Sequence, residues 1–455
     1  MGSVFAIRVC SLGLILLFLS VYACAEPAPV KPAKVLHTEA IDRVWSGHDI
    51  YPTMLVHREH QFMAYYDANR QMTFAYRKDN APWVYHKVNS WVGWDRHNYI
   101  ALSLDEEGYL HASGNMHGDP LEYFRSQRPF DVRSLKRIAV MVEGGPEKRM
   151  TYPRFLKDQN GRLYFTYRHG GSGNGNQIYN VYNTKKRRWT RLHQQAFLDG
   201  EGKMSGYFEG PTLGPDGYFH LIWVWRDTPD ASTNHDISYA RSKDLLVWED
   251  SNGKPYELPL TLNEVEIVAP VPVKAGMING NVNLGFDGSG KPIIVYHRYD
   301  ELGYTQMYIA RKQGEAWISS AFSDWQNFRW EFGGGGSLGV FPIDPKNPEL
   351  TEDGKISARV RKHDKHVNFL LDPTTYERLS VETYEPTPHV VYENAERLLS
   401  KTDVDLELNV KPGPMVYPSS DQQYYMTWYS LPGNRDKAHS KIPQPSTLLL
   451  QKIQH

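Results

Sequence analysis

Cysteine is almost missing: 455 residues hold two, Cys10 and Cys24. Both fall at the very start, so no disulfide framework staples the body of the chain, which must be held by its core. Charge of one sign is missing too. Lys and Arg total 51 against 52 Asp and Glu, which removes the electrostatic case for a nucleic-acid partner. Long apolar runs are confined to Leu12 to Val21, too short to span a bilayer. Sustained 3.6-residue periodicity is also missing, because Gly and Pro interrupt the chain every 10 to 15 residues or so. Aromatics are what the chain has in quantity: 13% of it, including 12 Trp and 29 Tyr. A disordered chain would be poorer in them.

Arg8, the apolar run and Ala23-Cys24-Ala25 before Glu26-Pro27 have the layout of a secretory leader. The expectation is a signal peptide over 1–25 and one exported domain over 26–455, secreted or periplasmic. Val21-Tyr22-Ala23-Cys24 loosely resembles a bacterial lipoprotein site, which makes Cys24 a candidate lipid anchor.

A repeat emerges from turns and tryptophans. A Gly-containing turn followed by an alternating apolar strand occurs at Asp105–Gly108, Lys157–Gly161, Gly214–Gly217 and Asp287–Gly290. Its glycines are 53, 56 and 73 residues apart. Between these, a strand ending in Tyr or Ala-Arg leads through a polar turn to Trp83, Trp189, Trp248 or Trp317. The copy missing from this second series falls near Phe124-Arg125 and Leu135. Antiparallel hairpins at this period predict an all-β chain forming a single seven-bladed β-propeller, at roughly 60 residues per blade. A β-sandwich or jelly roll is the plainer alternative. The last 75 or so residues are expected to complete the last blades and close the ring.

Polar clusters sit at strand ends: 93–99, 113–120, 150–154, 167–176, 207–211 and 225–235. In a propeller such loops converge on one face. His, Tyr and Arg without a nucleophilic Ser or Cys motif suit proton transfer beside an anion. Removing the proton alpha to a uronate carboxylate needs a cation to blunt that carboxylate, a base and an acid. Arg168 suits the first role, since its planar fork matches a carboxylate; His97 and Tyr152 suit the other two. For each alone, an ordinary core or ion-pair role is the competing reading. The glycine run 170–175 lacks the Gly-Lys-Ser/Thr of a phosphate loop. Glu209, Asp227 and Asp236 are candidate acids, but no spacing singles out a glycosidase pair. His220, His235 and His297 are weak candidates for a structural zinc or calcium site. The chemistry itself needs no cofactor.

These clusters resemble those of secreted seven-bladed propeller polysaccharide lyases that act on glucuronate–rhamnose polymers, the ulvan lyases among them. The resemblance runs from about Trp45 to Trp330. It rests on Gly93-Trp-Asp-x-His97-Asn, Gly114-Asn-Met-His117, Thr151-Tyr-Pro, Tyr167-Arg168, and Trp223-Val-Trp-Arg226 with Thr233-Asn-His-Asp. It implies β-elimination, with His97 and Tyr152 as base and acid and with Arg168, helped by His117, neutralising the carboxylate. Tyr207, Asn115, Arg226 and His169 are the residues expected to hold the acidic polysaccharide. Some relatives place a zinc-binding Cys where this chain has Ala231. The chain resembles propeller α-L-rhamnosidases as well. Those hydrolyse rhamnosyl-glucuronate caps of arabinogalactan, an activity assigned to one His on the opposite face, where Trp45-Ser-Gly-His48-Asp49 matches. A non-catalytic glycan-binding propeller is the third reading. A monomer without a nucleic-acid partner is expected in each case.

Overall fold

A computed structural model describes residues 33–403, 405–415 and 421–455. The expected leader, with Cys10 and Cys24, lies outside the described residues. The secondary structure is overwhelmingly β, with seven antiparallel sheets of four or five strands. In the first sheet Thr53–His57, His60–Tyr66, Gln71–Lys78 and Val84–Trp91 pair in chain order. Five more sheets follow over residues 100–137, 117–191, 205–269, 283–321 and 343–383. The seventh takes Glu407–Met415, Gln422–Ser430 and Ser446–Gln454 from the end of the chain. Its fourth strand is Lys34–Val44, from the beginning, paired antiparallel to Ser446–Gln454.

The repeat read from the sequence is the first hairpin of successive sheets. Asp105 Oδ1 accepts the amides of Glu107 and Tyr109; Asp158 and Asp287 accept the matching pairs in their own turns. The glycine closing such a turn takes the left-handed conformation, φ +81° at Gly161 and +78° at Gly290, which costs glycine little. A further copy, Thr351–Gly354, escapes notice because Thr351 stands where Asp is expected; its hydroxyl accepts the Lys355 amide instead. Trp189 and Trp317 lie in fourth strands, Trp83 just before one, and Leu135 opens the strand of the copy that lacks Trp.

The middle strands of all but the sixth sheet are largely buried on both faces, so alternate residues enter different cores. Along Phe219–Arg226, Ile222 and Val224 pack with Ile294 and Tyr296 of the next sheet. Leu221, Trp223 and Trp225 face the other way, onto Tyr164 and Tyr179 of the sheet before. The same division recurs at Pro292–Tyr299, where Ile293 and Val295 face Ile356 and Ala358. In the seventh sheet Met426 and Trp428 pack on Met63 and Tyr65 of the first. The sheet's other face carries the helix His389–Leu398, which the sequence pattern did not announce. Buried Asn394 ties that helix down by donating to Thr38 Oγ1 at 2.7 Å and Gln451 Oε1 at 2.8 Å.

The three histidines proposed as metal ligands serve local structure instead. They do not converge. His220 lies between Tyr239 Oη at 2.6 Å and Asp216 at 2.9 Å. His297 is fully buried against Trp330 and Asn281. His235 spans Asp227 at 2.9 Å and Asp236 at 3.0 Å. Ala231 packs among Ile278, Leu338 and Phe341. The apolar surroundings of that position do not fit a zinc ligand set.

Two outcomes follow from this packing. Trp223→Ala opens a cavity between two sheets and is expected to cost about 3–5 kcal/mol in denaturant unfolding. Trp91→Ala, at a residue that is 55% exposed, should stay within about 0.5 kcal/mol. For His235, burial opposes the charge, but the hydrogen bonds and charges of Asp236 and Asp227 outweigh it and raise the pKa. A raised folded pKa stabilises below the unfolded value of about 6.5 and is lost as pH climbs through the folded value. Wild type should therefore lose more stability than His235→Gln as pH rises from the acid side of that window to the alkaline side. Parallel melting curves of the two across it test this.

Candidate active site

The polar clusters at the strand ends are brought together by four local devices. The loop between the first and second sheets carries Asp95, Arg96 and His97. The three-residue strand His117–Asp119 leaves the second sheet and pairs with the edge of the third, setting His117 beside Thr151. The strand Met150–Lys157 is bulged between Thr151 and Arg154, and Tyr152 sits in the bulge at φ +58°. That conformation is unfavourable for a tyrosine and turns the ring out of the pleat. In the fourth sheet Ser205–Leu213 supplies Tyr207, and Arg226 ends the neighbouring strand.

The result is a cavity of about 310 Å³. His97, Tyr152 and Tyr207 line it, together with Arg96, Arg154 and Arg226 and a single carboxylate, Glu209. Protein atoms crowding Glu209 push its carboxyl up, with Arg154 opposing. The ring centroids of His97 and His117 are 4.2 Å apart, and that of Tyr152 is 5.8 Å from His97. One carboxylate serves both imidazoles. Asp95 Oδ1 accepts from His97 Nδ1 at 2.6 Å and Oδ2 from His117 Nδ1. Burial works to raise the Asp95 carboxyl, but its hydrogen bonds to His117 and His97 hold it well below the usual carboxylate range. With both Nδ1 atoms engaged, each Nε2 is the nitrogen left to exchange a proton.

Arg168 is 3% exposed and lies behind the tyrosines rather than on the wall. Its guanidinium stands 4.9 Å from the Tyr152 ring and 5.5 Å from that of Tyr207. Nη1 donates to Tyr207 Oη at 3.1 Å, and Ser172 Oγ shares the same phenol at 2.6 Å. Arg226 stands 5.4 Å from the Tyr207 ring and donates through Nε to the Thr228 carbonyl. Among the described residues neither Arg168 nor Arg226 has a carboxylate within 4.0 Å. Burial pushes the Tyr152 phenol up to about 12; Tyr207 adds to this, while Arg168 and Arg226 oppose it. Tyr152 therefore carries its proton at neutral pH.

Six residues read from the sequence thus meet: His97, His117, Tyr152, Arg168, Tyr207 and Arg226. Others do not. Asn115 spends its amide on Ser90 Oγ at 2.9 Å and the Trp91 carbonyl at 3.0 Å, bracing the first sheet. His169 follows Arg168 on the same strand and so points to the opposite side, where burial depresses its pKa, with Arg149 and Arg191 adding to it. Asp227 and Asp236 flank His235 and pair with nothing in the cavity. His48 is fully buried, 2.8 Å from Asp49, which in turn lies 3.6 Å from Arg96. It is therefore on the same side as His97, not the opposite one, and closed to a substrate. The sequence reading gave no role to Asp95, although it lies two residues before His97. It missed Ser337 and Asp436 altogether. Asp436 Oδ1 accepts from Ser337 Oγ at 2.5 Å and lies 3.6 Å from His97 Nδ1.

Comparison with known proteins places the chain. A short isoform of ulvan lyase from Alteromonas sp. (strain LOR) is 24% identical over 168 residues, which cover 32% of this chain and 29% of the relative. The crystal structure of polysaccharide lyase Uly1 superposes with a TM-score of 0.63 at 14% identity, covering 92% of this chain and 99% of that one. A PL25 ulvan lyase superposes at 0.56 and 13% identity, over 90% of this chain and 93% of its own. These likenesses support the same fold, and the similarity to ulvan lyases read from the motifs is present in sequence and architecture. Residues 60–325, more than half the chain, match the sequence model of the BNR repeat-containing family, and the chain belongs to that family.

Proposed function

We propose that this protein is an exported polysaccharide lyase that cleaves a glucuronate–rhamnose linkage by β-elimination, its seven sheets being the blades of one propeller. The observation that carries the reading is electrostatic. Two buried guanidiniums without carboxylate partners flank a proton-bearing tyrosine and a carboxylate-oriented histidine. Buried cations with no carboxylate within 4.0 Å are costly, and an anionic group in the cavity offsets that cost. The likeness to ulvan lyases supports the substrate class, as does a related PL25 structure bound to -[GlcA(1-4)Rha3S]-.

The uronate carboxylate binds against Arg226, with the charge of Arg168 behind the tyrosines. This makes the C5 proton acidic. His97 Nε2 takes that proton, the C4–O bond breaks as the C4=C5 double bond forms, and Tyr152 protonates the leaving oxygen. Proton exchange with solvent then returns the imidazole and the phenol to their starting states. His117 shares Asp95 with His97 and holds its ring against the base.

Incubation with ulvan or another glucuronate–rhamnose glycan should yield the ultraviolet absorbance of an unsaturated uronate. Cleavage without that signal would be hydrolysis and would sink the reading. Tyr152→Phe and His97→Ala should each lower kcat by about 10²–10⁴-fold. Full activity in both would place the chemistry elsewhere. Asp95→Asn should lower kcat with little change in KM, since it frees the imidazole without touching substrate.

A further inference from the structure

We propose that the Asp95–His97–His117–Asp436 cluster is a binding site for a first-row transition metal ion such as zinc, and that its occupation is incompatible with His97 acting as a base. The second clause rests on the lyase reading; the first does not. One donor atom from each of the four residues lies within 4.8 Å of every other. Tetrahedral zinc, with ligands at about 2.0–2.2 Å, spaces its donors by about 3.4 Å, so small side-chain shifts close the set. Two imidazoles and two carboxylates favour such an ion over calcium or magnesium, which prefer oxygen alone.

Asp436 has no part in the elimination as derived, yet it is presented with care. Arg435 and Asp436 are consecutive left-handed residues at φ +51° and +59°. Ser337 then fixes the carboxylate through its amide at 3.1 Å and its hydroxyl at 2.5 Å. This aims Asp436 at His97 Nδ1, the nitrogen that faces Asp95.

The conflict with catalysis follows from the two nitrogens of one ring. In the metal-free site Nδ1 carries the proton, donated to Asp95, and Nε2 keeps its lone pair. A metal takes the Nδ1 lone pair. The ring proton must then sit on Nε2, and no lone pair faces the cavity. The ring stays neutral in both states, so the exchange moves a proton between nitrogens and needs no redox partner.

The test titrates zinc sulfate into chelator-stripped protein by calorimetry, with nitrogen NMR of the histidine rings in parallel. The expected result is one saturable zinc per chain, reversed by EDTA, with affinity at least tenfold lower in Asp436→Asn. The ring spectra should report the proton moving to Nε2 in His97 and His117, and the elimination rate should fall in step with occupancy. Absence of saturable binding overturns the proposal, as does affinity unchanged in both Asp436→Asn and Asp95→Asn. Faster elimination with zinc bound overturns the incompatibility. If the metal-free protein eliminates nothing, the lyase reading fails alone, because calorimetry and ring spectra still decide the site.

Discussion

Burial of both faces of the middle strands in most of the sheets is the constraint on which the rest of the structure depends. A strand such as Phe219–Arg226, with no exposed residue, cannot terminate a stack. Each of its faces needs a neighbour, and each neighbour has a second face of its own. A row of such sheets would leave two large apolar faces in water. At one end of this row Met426 and Trp428 of the seventh sheet pack on Met63 and Tyr65 of the first, and the helix His389–Leu398 covers the seventh sheet's other face. Pairing Lys34–Val44 with Ser446–Gln454 joins the two ends of the described chain within one sheet. No disulfide is needed, because core packing does the work on its own.

The packing of the seventh sheet on the first explains why residues hundreds of positions apart can share a proton network. His97 lies between the first and second sheets, Tyr152 in the third, Tyr207 in the fourth, Ser337 before the sixth and Asp436 within the seventh. Tyr152 and Tyr207 are held by strands, whereas His97, Ser337 and Asp436 stand in loops between strands. The site therefore draws its order both from the stack and from contacts within itself, such as Asp95 between the two imidazoles and Ser337 on Asp436.

What the sequence disclosed, and what it hid, divides along the range of the forces involved. The turns at Gly161 and Gly290 were legible because an Asp carboxylate and a left-handed glycine are local necessities, written within five residues. The core tryptophans were legible because they recur. His97, Tyr152 and Arg168 could be picked out by residue type and by resemblance. Their geometry could not. Within the segment 150–154 Pro153 hints at an irregular strand but not that Tyr152 takes the left-handed conformation, and no periodicity marks His117–Asp119 as a strand that changes sheets. Asn115 looked like a binding residue until its amide was seen to brace Ser90 and Trp91. His48 carried a plausible motif but sits in the interior, and burial is a property of the whole fold. Asp436 had no local signal, since its partners come from residues 97 and 337.

The placement of Arg168 bears on how, in the proposed elimination, a phenol with its pKa raised to about 12 would serve as an acid. An acid must hold its proton in the resting state yet release it as charge develops on the leaving oxygen. Burial alone would satisfy the first demand and defeat the second, because a tyrosinate in an apolar pocket is unstable. Guanidiniums around the phenol answer the second demand, since they favour the anion without protonating it. Arg226 can do this from the cavity wall, but an anionic substrate there partly cancels its field. Arg168, behind the Tyr152 and Tyr207 rings, keeps its charge directed at the phenols whatever occupies the cavity. A buried arginine without a carboxylate is a liability to folding, and in the proposed elimination this is a position where the liability would have a use.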